Sequence, residues 1–128
     1  MPRRSASPAA GERIEHLLDL IAGWAPATAR RMFGGYGLFH AGLMFGLVIR
    51  DRLYFKTDAG NRGAYEAAGM PPFTYIRGAR GLVALPYHEV PPGLYDDGEA
   101  LAAWAAEAFA AALRIRRARP ARRGRAGA

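Results

Sequence analysis

A chain of 128 residues, 51% of them hydrophobic, is long enough for one modest core and too apolar for disorder throughout. It has no cysteine, which excludes disulfides, thiolate metal sites and cysteine nucleophiles; its most apolar run, Ala41 to Ile49, is far shorter than the ~20 residues of a membrane-spanning helix. The net charge of +7 sits wholly in segment 114–128, where Arg114, Arg116, Arg117, Arg119, Arg122, Arg123 and Arg125 meet no acid, so residues 1–113 are formally neutral.

Residues 1–11 are rich in Pro, Ala and Ser and are expected to be mobile, without the apolar centre of a signal peptide. A helix is expected from about Glu12 to Trp24, because Ile14, Leu17, Leu18, Ile21 and Ala25 form one apolar stripe and Pro26 follows. Residues 31–39 and 43–49 read as strands joined across His40-Ala41-Gly42, and Arg50-Asp51-Arg52 turns the chain into a third strand, Leu53 to Thr57. Alternation puts Leu43, Phe45, Leu47 and Ile49 on one face of the middle strand. Met44, Gly46 and Val48 make its other face apolar too.

A short helix is expected next, capped by Asp58 or Asn61 and ending at Gly69 before Pro71-Pro72. Phe73–Arg77 and Leu82–Tyr87 read as a second hairpin. The last helix is the most regular: Asp96 and Glu99 resemble a capping box, and Leu101, Trp104, Ala105, Ala108, Phe109, Ala112 and Leu113 keep the helical repeat. The order α-βββ-α-ββ-α, with about five strands in hairpins and the helices set apart, predicts a two-layer α+β domain over 12–113, followed by the Arg-rich tail 114–128.

The stretch Met32-Phe33-Gly34-Gly35-Tyr36-Gly37 raises two chemistries. A phosphate cradle needs G-x-x-x-x-G-K-[ST], or G-x-G-x-x-G opening a helix, and these glycines fit neither. The RNA-stacking pattern is nearer, but the position before its glycine is Gly34 rather than a basic residue, and a neutral body removes the charge term that dominates such binding. A strand bent by glycine, with close backbone approach, is the favoured reading. His16, His40 and His88 fall on three different segments, and serine occurs only at Ser5 and Ser7, so neither a metal site nor a serine nucleophile is indicated.

The ordered motifs "RRMFGGYGLF", "GLMFGLVIRDRLYFKTD", "NRGAYEAAGMPPFTY" and "VALPYHEVP", followed by the Trp104 helix, resemble the TfoX (Sxy) N-terminal domain family over roughly 12–113. The resemblance implies a two-layer fold on an antiparallel sheet and a non-enzymatic regulatory or adaptor role tied to bacterial competence regulators. A cytoplasmic location is the expectation from the lack of a signal peptide or membrane span. It implies no catalytic site, metal or cofactor. In place of the second domain of those regulators this chain has "RIRRARPARRGRAGA". By position, the resemblance marks Arg31, Tyr36, Lys56, Arg62 and Tyr75 as a family-specific surface. The expected partner is a protein, and the apolar second face of 43–49 motivates a homodimer. The alternatives are weak, non-specific nucleic-acid contact through the tail arginines and a small-molecule or enzymatic domain.

Overall fold

The structure, a computed structural model, describes residues 13–32 and 34–119. The expectations for residues 1–11 and for Arg122, Arg123 and Arg125 lie outside them. Helix α1 (residues 13–21) turns Ile14, Leu17 and Ile21 inward, at 6%, 1% and 0% exposure, as its apolar stripe requires. Six strands follow: β1 (Thr28–Met32), β2 (Gly35–His40), β3 (Leu43–Ile49), β4 (Arg52–Lys56), β5 (Pro72–Ile76) and β6 (Leu82–Glu89). Helix α2 (Arg62–Ala67) joins β4 to β5, and α3 (Gly98–Ala118) ends the described chain. The sheet order is β1-β2-β3-β4-β6-β5 with every neighbour antiparallel, so the two-layer α+β expectation holds.

Two strand expectations need correction. The single strand read at 31–39 is a hairpin of β1 and β2, which raises the strand count to six. Gly34 sits in its turn at φ +76°, a backbone region that glycine enters without steric penalty. A Cβ on Gly35 would collide with the carbonyl oxygen of Val48, so β2 and β3 approach closely there.

The face assignment of β3 also changes. Leu38 pairs with Gly46 but Phe39 pairs with Met44, leaving Phe45 as the extra residue of a β-bulge. The bulge shifts the alternation by one. Leu43, Phe45 and Val48 therefore face the helices, while Met44, Leu47 and Ile49 face the other side. In β4 the reading holds, with Leu53 and Phe55 in the core and Thr57 buried just beyond the strand.

All three described helices lie on one side of the sheet. α1 and α3 cover Leu38, Phe45, Val48, Leu53 and Phe55, and α3 approaches closely because three of its four fully buried positions, Ala105, Ala108 and Ala111, are alanine, Leu101 being the fourth. Trp24 and Phe109 pack edge-on against Phe45, at 5.6 and 6.3 Å between ring centroids. Asp97, not Asp96, is the N-cap of α3, and its carboxylate accepts from the Ala100 N–H. Asn61 stands before α2, but its side chain turns back, accepting from Asp58 N–H and donating to the Lys56 carbonyl. Helix α3 runs on to Ala118, so the first residues of segment 114–128 are its last turn.

Candidate functional site

The register places one row of residues across the helix-free face: Arg30, Gly37, Leu47, Tyr54 and Glu89, contributed by β1, β2, β3, β4 and β6. Next to that row, Ile49 pairs with Arg52 and Lys56 with Tyr87. Among the described residues no helix covers this face. Its side chains cover one another instead. A Cβ at Gly37 would lie 2.6 and 2.7 Å from the sulfurs of Met32 and Met44, so these thioethers roof the glycine. The Arg30 guanidinium lies 4.7 Å from the Phe39 ring centroid, and the Lys56 ammonium 4.8 Å from that of Tyr87.

Toward the β5 side the face becomes aromatic. Tyr54 meets Phe73 edge-on at 5.0 Å, and Phe73 stacks near Tyr75 at 6.4 Å and 24° between planes. Beside them a groove of about 460 Å³ opens, with Arg50, Arg52, Tyr54, Phe73 and Glu89 among its walls. Glu89 is 8% exposed and pairs with Arg52 at 3.5 Å, so the one acid within the groove already has a cation. Burial, and then the charge of Glu89, push the Tyr54 phenol above its ordinary pKa, while Arg52 and Arg50 pull the other way. Burial and then the charge of Arg119 pull Lys56 below its ordinary value.

Of the five positions marked from sequence, Arg31 and Tyr36 are direct register partners at the far edge of the sheet, on the helix side. Lys56 and Tyr75 belong to the helix-free face, on β4 and β5. Arg62 opens α2 and pairs with Glu66 at 3.4 Å. The structure therefore divides the five over separate surfaces. Arg114 forms a bidentate pair with Asp58, while Arg116, Arg117 and Arg119 stay exposed.

The histidines are also dispersed. His16 donates to the Tyr95 carbonyl at 3.1 Å, and His40 to the Pro26 carbonyl at 2.7 Å while lying between Trp24 and Phe109. His88 shares a 2.9 Å hydrogen bond with the Thr57 hydroxyl, and its pKa is lowered, first by burial. Among the described residues no group of three or more His, Asp or Glu gathers at metal-binding range.

Sequence reasoning passed over Arg30, Arg50, Arg52 and Tyr54. The alternation Arg52-Tyr54-Lys56 opposite Leu53-Phe55-Thr57 was the signal that Arg52 and Tyr54 share a face with Lys56; Arg30 and Arg50 had no such signal. The family model of the TfoX N-terminal domain matches residues 19–112. No curated protein matches the chain.

Proposed function

Since the chain belongs to the TfoX N-terminal domain family, we propose that it is a cytoplasmic regulatory or accessory domain that works through protein contacts rather than catalysis. One observation carries the reading. Ile76 and Leu82, register partners at the outer end of the β5–β6 hairpin, are 75% and 70% exposed, the large apolar side chains left in water among the described residues. Arg77 and Arg80 lie between them, and residues 71–88 hold no acid. This favours a protein partner with an apolar patch rimmed by carboxylates.

The test is comparative affinity capture from the native cell with the full chain and its Ile76→Ser/Leu82→Ser variant. A partner that binds the wild type and is lost from the variant supports the reading. Identical partners for both would remove it. A homodimer is the self-partnering form of the same idea, and a monomer mass by light scattering at micromolar concentration would exclude it.

The exposed arginines at the end of α3 favour a second reading, a non-specific grip on nucleic-acid backbone. Arg114 contributes least to it, being held by Asp58. An Arg116→Ser/Arg117→Ser/Arg119→Ser variant with unchanged, salt-dependent DNA affinity would discard the arm.

A further inference from the structure

The overall neutrality of residues 1–113 hides a division between layers. The strands and their turns (26–57 and 71–90) carry seven basic residues against two acids, Asp51 and Glu89. The helical segments (13–25, 58–70 and 91–119) carry six basic residues against eight acids, and four of those six lie in the last turns of α3. One acid of the sheet layer, Glu89, is buried against Arg52. Of the seven basic residues, Arg31 lies on the helix side and Arg77 and Arg80 in the β5–β6 turn. That leaves Arg30, Arg50, Arg52 and Lys56 at the helix-free face against Asp51 and Glu89, a small positive excess, while the layer behind it is, up to Leu113, acidic.

That positive face is also the aromatic one. Tyr54, Phe73 and Tyr75 form a ladder from β4 to β5, each residue partly buried, and Arg50 and Arg52 flank the groove beside it. Arg30 and Lys56 extend the positive charge across the sheet to β1 and along β4. Rings that offer π-faces to stacking bases, bordered by guanidinium groups that pair with phosphates, are the two parts of a single-strand binding surface.

We propose that the helix-free sheet face binds single-stranded nucleic acid, with Tyr54, Phe73 and Tyr75 as the stacking platform and Arg30 and Arg50 as phosphate contacts. This is a second surface, separate from the Ile76–Leu82 pair and from the end of α3. A second copy of the chain fits this face less well. Packing the face on itself would bring two positively charged surfaces together, with Glu89 already paired to Arg52. A duplex fits less well too, because its bases are not free to stack on the rings.

The test measures fluorescence anisotropy of labelled oligothymidine, oligouridine and a mixed-sequence duplex, each of about 16 nucleotides, with the full chain at two salt concentrations. Single strands are expected to bind more tightly than the duplex, with affinity falling as salt rises. Tyr75→Ala lowers single-strand affinity about tenfold, whereas Tyr75→Phe, which keeps the π-face, retains it. Arg30→Gln/Arg50→Asn weakens binding and flattens its salt dependence. These two arginines are exposed, and Asn suits the left-handed backbone of residue 50, so this variant keeps the fold. The Arg116/Arg117/Arg119 serine variant should keep the preference for single strands. Equal affinity for duplex and single strand, no single-strand binding by the wild type, or face variants that bind like the wild type would each overturn the proposal. So would a dimer that Tyr75→Ala dissociates.

Discussion

Arg114 grips Asp58 across 56 residues of sequence, its Nε donating to one carboxylate oxygen at 2.6 Å and its terminal nitrogen to the other at 2.8 Å. This two-pronged pair pins the last turns of α3 to the loop that leaves β4, linking the helix layer to the end of the sheet. Asp58 also accepts from the Gly60 N–H at 2.9 Å, so it orders the loop as well as the helix. Asp58→Ala is expected to cost about 1–2 kcal/mol, and Arg114→Ala less, about 1 kcal/mol, because half-exposed pairs are screened by solvent. Urea denaturation of the two single variants and the double variant checks this. Additive effects would show that the pair is not coupled.

The same pair has a pH signature. The Arg114 hydrogen bond, foremost, holds the Asp58 carboxyl below its ordinary 3.8 in the folded chain. The unfolded chain therefore takes up this proton at higher pH than the folded one. The contribution is complete above the ordinary value and fades as pH falls through the depressed folded value. The stability gap between wild type and Asp58→Asn should hold at neutral pH and close under acid. A gap unchanged below the ordinary carboxylate pKa would contradict the assignment.

The hairpin between β1 and β2 rests on two adjacent glycines with different duties. Gly34→Ala forces a side chain into a φ of +76° and should cost about 1 kcal/mol. Gly35→Ala places a methyl against the Val48 carbonyl, which is ladder backbone and cannot move aside, so about 2 kcal/mol or more is expected. Thermal denaturation ranks the two. The reverse order would mean that β2 can slide away from β3.

These glycines also mark where local pattern stops being legible. The β2–β3, β3–β4 and β5–β6 hairpins, the three helices and most of the core followed from alternation and the helical repeat, because Leu53, Phe55, Ile14 and Leu17 point where period alone sends them, whereas the β1–β2 hairpin reads as one strand. The bulge at Phe45 did not follow. A bulge is fixed by how two strands pair, and Leu43, Phe45 and Val48 break the alternation only because Leu38 sits opposite Gly46 while Phe39 sits opposite Met44. The charge division was hidden for a similar reason. The sum over residues 1–113 carries no information about layers, and only the strand register adds Arg30 to the face that alternation gives Arg52 and Lys56.

The buried face of α3 has little room to spare. Ala105, Ala108 and Ala111 are 0% exposed, and alanine is what lets the helix axis approach β3 and β4. Ala108→Leu adds three methylene-sized groups to a filled interface and should cost about 2 kcal/mol through displaced neighbours. Ala103→Leu, at an exposed position of the same helix, should be near neutral because helix propensity scarcely changes. Denaturation midpoints of the pair separate packing from propensity; equal midpoints would contradict tight apposition of helix and sheet.

The turn between β3 and β4 carries avoidable strain. Arg50 and Asp51 both have positive φ, 52° and 67°, the signature of a two-residue turn that suits Asn-Gly far better. Side chains bearing a Cβ are disfavoured there by roughly 1 kcal/mol each. Arg50→Asn/Asp51→Gly should therefore stabilise the chain by about 1 kcal/mol, the added freedom of an unfolded glycine offsetting part of the gain. The substitution removes one positive and one negative charge, so net charge is unchanged and simple charge relief does not explain the gain. The groove beside Tyr54 nevertheless loses an arginine. A chain that is more stable in urea yet weaker toward single-stranded oligonucleotide would show that the strained Arg50 serves the face rather than the fold. Higher stability with unchanged binding would assign that residue to neither.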